Sequence, residues 1–231
     1  LNKGNLQFED ITENAGVACK DIWSAGVTFA DVNGDGWLDI YVCKSGPPGG
    51  KHRYNELFIN LKDLTFKEVA EDWGINDLGL SSHAAFFDYD KDGDLDCYLL
   101  NNSIRSVGGY DLIENQREVR DTLGGNKLYR NEGEHFVDVS EEAGIYGSSI
   151  GFGLGVTIGD VDRDGWQDIY VSNDYFERDY LYINQGDGTF KEDLVNQIPE
   201  LSLSSMGADM GDLNNDGYPE IFVTDMLPKD D

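Results

Sequence analysis

The stretch "DVNGDGWLDIYV", Asp31 to Val42, crowds four acidic or amide side chains and two glycines into nine residues, then turns abruptly into an apolar run. It returns three times: "DYDKDGDLDCYL" from Asp88, "DVDRDGWQDIYV" from Asp160 and "DLNNDGYPEIFV" from Asp212. Internal repetition of this kind decides the fold class before any single segment does.

With the loop numbered 1 to 9, oxygen-bearing side chains fall at positions 1, 3, 5 and 9, and glycine at 6. The four sets are Asp31, Asn33, Asp35, Asp39; Asp88, Asp90, Asp92, Asp96; Asp160, Asp162, Asp164, Asp168; and Asp212, Asn214, Asp216, Glu220. A hard cation with oxygen ligands at ~2.3–2.6 Å requires this arrangement, and the glycine permits the sharp turn. The carbonyl of position 7 (Trp37, Asp94, Trp166, Tyr218) is a further expected ligand. Calcium suits the set better than magnesium, which demands a tighter octahedral shell. Up to four calcium ions are expected, the fourth site being the weakest because Glu220 replaces Asp.

An EF-hand would share the early positions but needs a bidentate Glu at position 12, where this chain has Val42, Leu99, Val171 and Val223. Positions 10 and 12 instead alternate as a half-buried strand would. Residues four and two before each loop (Val27/Phe29, Ala84/Phe86, Val156/Ile158, Ala208/Met210) alternate likewise. Each loop is therefore expected to be a hairpin turn between two strands. Small residues one step earlier, Gly26, Gly155 and Gly207, suggest close packing near the axis of a ring, and His83 takes that place in the second copy.

Two further strands recur in order. "NELFIN" (Asn55 to Asn60), "NKLYRN" (Asn126 to Asn131) and "DYLYIN" (Asp179 to Asn184) form the third, and "FKEVA" from Phe66, "FVDVS" from Phe136 and "FKEDL" from Phe190 the fourth. Four-stranded antiparallel units in series are β-propeller blades, so an all-β propeller is expected. The units run approximately 26–70, 83–140, 155–194 and 207–231 within one partial propeller domain, 1–231. "FEDIT" at 8–12 reads as a fourth strand of another blade, able to complete one begun by the last hairpin. The chain begins with Leu, stops after a second strand, and reads as a piece of something longer.

These motifs resemble FG-GAP/VCBS repeats, the calcium-binding blades also found in integrin α-subunits. "NxLYxN" and "FxDVSEEAGI" resemble more specifically the bacterial secreted proteins of the cartilage-acidic-protein type that carry an ASPIC/UnbV domain. The resemblance implies a propeller of about seven blades, and it does not fix a function, since such propellers serve in adhesion, glycan binding and some lyases.

Composition narrows the partners. Forty-five acidic against 17 basic residues give a formal charge of −28, which repels nucleic acid and anionic membrane. No stretch approaches the ~20 apolar residues of a membrane span. Three cysteines make no disulfide framework, and Cys43 and Cys97 sit in apolar strands as small buried hydrophobes. Modest-affinity calcium loops fill at the ~10⁻³ M calcium outside cells, so an extracellular, cell-surface or periplasmic location is expected.

Hairpin logic puts the calcium turns on one face and the least uniform loops on the other. His52, Arg53, Tyr54, Arg105, Tyr110, Tyr175, Phe176 and Arg178 there supply cationic and aromatic groups for a glycan or protein ligand. A neighbouring subunit or domain covering an open edge is the other expected partner. Three scattered histidines and no GxSxG motif favour a non-catalytic binding module over the alternative, a polysaccharide lyase working with an Arg/Tyr/His set.

Overall fold

A computed structural model describes residues 1–19, 23–46, 53–104, 116–175 and 177–226. The described residues are all-β apart from two single-turn α-helices and a 3-10 turn at Gln116–Glu118, and their strands fall into three four-stranded antiparallel sheets and two two-stranded ones. The first blade holds β3 (Trp23–Ala30), β4 (Asp39–Ser45), β5 (Glu56–Asn60) and β6 (Phe66–Glu68). The second holds β7 (Leu80–Phe87), β8 (Asp96–Asn102), β9 (Lys127–Asn131) and β10 (Phe136–Asp138). The third holds β11 (Gly153–Gly159), β12 (Asp168–Asn173), β13 (Tyr180–Asn184) and β14 (Phe190–Glu192). A lone hairpin follows, β15 (Ser205–Gly211) with β16 (Glu220–Asp225).

The innermost strands of successive blades, β3, β7, β11 and β15, lie side by side. Their approach is close enough to explain the small residues. A Cβ on Gly26 would stand 2.3 Å from the Ser82 carbonyl oxygen, and one on Gly155 would meet the Gly207 Cα at 3.2 Å. Thr28 Oγ1 donates to the Ala84 carbonyl across the same boundary. The register slips at the same place in all four innermost strands, just before Gly26, His83, Gly155 and Gly207. His83 is half-buried, and burial lowers its pKa.

The core is a series of layers between blades. Tyr41, Cys43, Leu57, Trp73 and Ile75 of the first blade meet Ala84, Cys97, Leu99 and Phe136 of the second. Tyr98, Leu100, Leu128 and Ile145 meet Val156, Ile169, Val171 and Tyr182 of the third. Here the half-buried reading of the second strands needs correction, since β8 and β12 are buried on both faces along almost their whole length. Each is sandwiched between two neighbouring blades. Only β16, with a neighbour on one side, is largely open.

A short motif also repeats where each unit ends, "AGV" at Ala15, "WGI" at Trp73 and "AGI" at Ala143, and its glycine has a physical basis. Gly16, Gly74 and Gly144 all have positive φ, and each would place a Cβ within 3.3 Å of the carbonyl of Phe66, Phe136 or Phe190 respectively, the residue opening the next blade's fourth strand. Phe136 N–H donates to Trp73 O and Phe190 N–H to Ala143 O, so each exit turn docks on its successor.

At the front, the expected single strand is a hairpin, β1 (Asn2–Gly4) with β2 (Gln7–Phe8), followed by a helical turn at Thr12–Ala15. Among the described residues no ladder joins it to β15–β16, so "FEDIT" does not complete the last blade. The sheets do not close into a ring, and the protein is a partial propeller. Its outermost sheet faces are apolar and open: Val27 and Phe29 on β3 are 55% and 59% exposed, and Phe222 on β16 is 62% exposed.

Candidate metal centre and binding faces

The four loops share one backbone. Position 4 (Gly34, Lys91, Arg163, Asn215) and position 6 (Gly36, Gly93, Gly165, Gly217) all have positive φ, and these two reversals fold the side chains at positions 1, 3 and 9 inward. The position 6 N–H donates to the position 1 carboxylate in every loop, at 2.7, 3.2, 2.9 and 2.9 Å. The position 7 N–H donates to the position 5 carboxylate, from Trp37, Asp94, Trp166 and Tyr218 to Asp35, Asp92, Asp164 and Asp216.

Position 9 ties the loop to its blade. One oxygen of Asp39, Asp96 and Asp168 accepts the position 2 N–H of its own loop (Val32, Tyr89, Val161). The other accepts the N–H of Asn60, Asn131 or Asn184 on the third strand. Those asparagines reach further. Asn131 Nδ2 donates to the Val32 carbonyl and Asn184 Nδ2 to that of Tyr89, each in the acidic loop of the preceding blade.

In the second and third loops, one carboxylate oxygen each from Asp88, Asp90 and Asp96, and from Asp160, Asp162 and Asp168, lie within 4.8 Å of one another, and these clusters could hold a metal ion. The convergent set is thus positions 1, 3 and 9, while position 5 caps its own turn, and in the first loop Asp35 also pairs with Lys62 at 3.2 Å. Asn33 and Asn214 leave the first and fourth loops one carboxylate short. Among the described residues Glu220 has no third strand beside it, and it folds back to accept from Leu213 N and Asn214 Nδ2.

The electrostatics suit a cation. Burial, against two backbone hydrogen bonds and reinforced by neighbouring aspartates, raises Asp96 to about 7 and Asp168 to about 6. Asp39 and Asp90 are raised for the same first reason. Asp160, a member of the third-loop cluster, has its Oδ1 buried with no hydrogen-bond partner among the described residues. A cation coordinated by these oxygens would remove both penalties at once.

One relationship between loops was not visible in the sequence. Lys91, at position 4 of the second loop, places Nζ 3.9 Å from the centre of the Trp166 ring at position 7 of the third. Arg163 stacks at 4.5 Å on Tyr218 in the same way. Position 4 of one blade therefore reads position 7 of the next. At the first junction the corresponding residues are Gly34 and Asp94, and neither half of the pair is present.

On the opposite face, His52, Arg105, Tyr110 and Phe176 lie outside the described residues. Arg53 is 4% exposed rather than presented to solvent. Arg178 is held in a two-point ion pair by Glu192, and Tyr54 is half-buried. Tyr175, 41% exposed, packs edge-on against Phe152. Arg117 Nε bonds the buried Glu177 at 2.8 Å, pinning the long second-blade loop to the third blade. The described part of this face is thus more cross-braced than the sequence suggests. His83 and His135 stand apart, the first on the innermost strand β7 and the second beside Gly74 in the turn before β10.

The FG-GAP-like repeat family matches residues 1–42, 118–171 and 160–223. The chain belongs to the FG-GAP repeat family. It is 27% identical over 203 residues to cartilage acidic protein 1 of Mus musculus, a stretch covering 85% of this chain and 30% of that protein. It is 35% identical over 87 residues to integrin alpha-6 of Homo sapiens, covering 33% of this chain and 8% of the integrin. A solved structure concerned with recognition of non-reducing terminal N-acetylglucosamine by an Agrocybe aegerita lectin overlays at a TM-score of 0.44 with 20% identity, covering 84% of this chain and 45% of that one. The chain thus spans under a third of the length of the curated relatives it matches. Among the described residues no helix is long and apolar enough to cross a membrane.

Proposed function

We propose that this FG-GAP chain is a calcium-stabilised, extracellular binding module that recognises a protein or glycan through the loop face opposite the calcium turns. The observation that supports calcium is the buried, unbonded Oδ1 of Asp160 inside a cluster of three carboxylates. Asp160, Asp162, Asp164 and Asp168, with the Trp166 carbonyl, would hold the ion, and their equivalents would do so in the other loops. The ion would supply charge compensation and rigidity, not chemistry. Each third strand is fastened to a position 9 carboxylate, so an ordered loop stiffens the whole blade.

A rigid repeat carrying non-repeating loops at one end is a recognition scaffold. Tyr175 and the guanidinium of Arg117, held by the buried Glu177, are described parts of that surface that a partner would meet. The lyase alternative would require a histidine or tyrosine facing a bound sugar beside an arginine, and of the described histidines His83 lies on β7 and His135 in the turn before β10. Incubation with acidic polysaccharides tests this directly: no unsaturated product is expected, while a pull-down with the calcium-loaded chain should capture a ligand that is lost on Tyr175→Ala. Appearance of unsaturated sugars would overturn the non-catalytic reading.

A further inference from the structure

Asp77, in the connection that leaves the first blade, and Lys127, on the third strand of the second, are in direct ion-pair contact. Their side chains are 2% and 16% exposed. Both depart from the repeat: the residues in the place of Asp77 are Cys19 and Gly147, and those in the place of Lys127 are Glu56 and Tyr180. We infer that this pair condenses to an intramolecular amide, a covalent cross-link that the folded chain forms on itself.

Both oxygens of the Asp77 carboxyl group are held as that reaction needs. Oδ1 accepts the Gly79 N–H at 2.7 Å and Asn101 Nδ2 at 3.2 Å, two fixed donors placed where negative charge gathers when an amine adds to the carboxyl carbon. Oδ2 accepts from Lys127 Nζ and, at 3.0 Å, from the Tyr129 hydroxyl. It is the oxygen that leaves. Burial raises the pKa of Tyr129, so its hydroxyl keeps its proton and goes on donating to that oxygen. Lys44 and Glu56 make a comparably buried pair at 2.7 Å, but among the described residues no backbone or amide donor is bonded to the Glu56 carboxylate, and that pair stays ionic.

The ammonium passes one proton to Oδ2, the free amine of Lys127 attacks Cγ of Asp77, and the nitrogen gives up a second proton as the Cγ–Oδ2 bond breaks. One amide and one water result, with no oxidant, cofactor or second molecule. A cavity of about 230 Å³ lined by Leu78, Thr122 and Leu123 borders Asp77, Lys127 and Tyr129 and gives that water a way out. Holding amine and carboxyl in contact replaces an encounter in solution. The product also removes two charges from a place where keeping them is costly. The bond ties the first blade's exit to β9 and closes a loop that holds β7 and β8. It depends on neither the calcium loops nor the loop-face ligand, so its failure would leave both readings untouched.

The test is the intact mass of the full chain, purified in calcium and measured after denaturation. It should lie below the mass of the sequence by one water, and tryptic digestion should give a branched peptide joining Asp77 to Lys127, with no cleavage after Lys127. Lys127→Arg keeps the positive charge but offers no neutral amine, and should restore the full mass. Asp–Gly pairs such as Asp35–Gly36 can lose water by cyclising on their own, and the digest separates that product because it joins no two peptides. A parent chain of full mass, a water loss that survives Lys127→Arg, or a branch at Lys44 instead would overturn the assignment.

Discussion

Asp168 Oδ1 accepts the backbone N–H of Asn184 at 2.9 Å, so the residue that closes the third acidic loop also fastens the third strand of its blade. Its other oxygen holds the Val161 N–H at 2.8 Å, and the side chain is 1% exposed. Position 9 is therefore structural before any ion arrives.

Asp168→Ala should accordingly be among the most damaging single changes. It leaves two N–H groups without partners, at about 1–3 kcal/mol each, besides deleting a proposed metal ligand. Glu220→Gln, in a loop with no third strand, should cost less than about 1 kcal/mol. Urea unfolding of both variants in calcium checks the order, and equal losses would contradict the staple role of position 9.

The loops should also differ in affinity. The second and third bring three carboxylates together, whereas Asn33 and Asn214 replace one in the first and fourth. Calorimetric titration should resolve two tighter and two weaker sites. Asp164→Ala should abolish one of the tighter pair by unfastening the Trp166 N–H that orders the turn and by removing a proposed ligand. Four indistinguishable sites would refute the ranking.

Much of this was legible in sequence because it is local. Positions 1, 3, 5, 6 and 9, the flanking strands and the exit glycines recur at fixed spacing, and the sheets form where the spacing places them. What escaped notice is the traffic between blades. Asn131 and Asn184 were readable as strand-closing residues, but their bonds reach across 99 and 95 residues of chain, which no local pattern reports. Burial of β8 and β12 on both faces likewise depends on neighbours that only the folded ring segment supplies. Arg53 looked like a surface cation because its sequence surroundings are polar, and it is packed inside.

The cation–aromatic contact between loops gives a paired test. Lys91 has φ 60°, a conformation costly for any side chain, so Lys91→Ala keeps the strain and loses the stack, at about 0.5–1 kcal/mol. Lys91→Gly loses the stack but relieves the strain and should be nearly neutral. Lys91→Ala as stable as the parent would show that the contact with Trp166 carries no energy, and equal destabilisation by both would show that the positive φ carries no strain.

In the calcium-free protein, pH should act in an unusual direction. Asp96 and Asp168 are raised from 3.8 to about 7 and about 6, so between about pH 4 and those values the folded state holds protons that the unfolded chain releases. Stability of the chelated protein should therefore fall as pH rises through that window. Calcium affinity should increase over the same range, because binding displaces those protons. Melts in chelator and calcium titrations across the window check both slopes, and a chelated protein that gains stability from about pH 5 to about pH 7 would contradict the burial argument.

The most direct measurement is thermal unfolding at neutral pH with and without excess EGTA, with metal analysis of both samples. Each loop filled at about 100 times its Kd contributes about 2.7 kcal/mol, so loss of even the two tighter ions should lower the melting temperature by roughly 10–20 °C. That fall, reversed by added calcium and not by magnesium at the same concentration, is the predicted result. A demonstrably metal-free protein that melts at the same temperature would contradict the account.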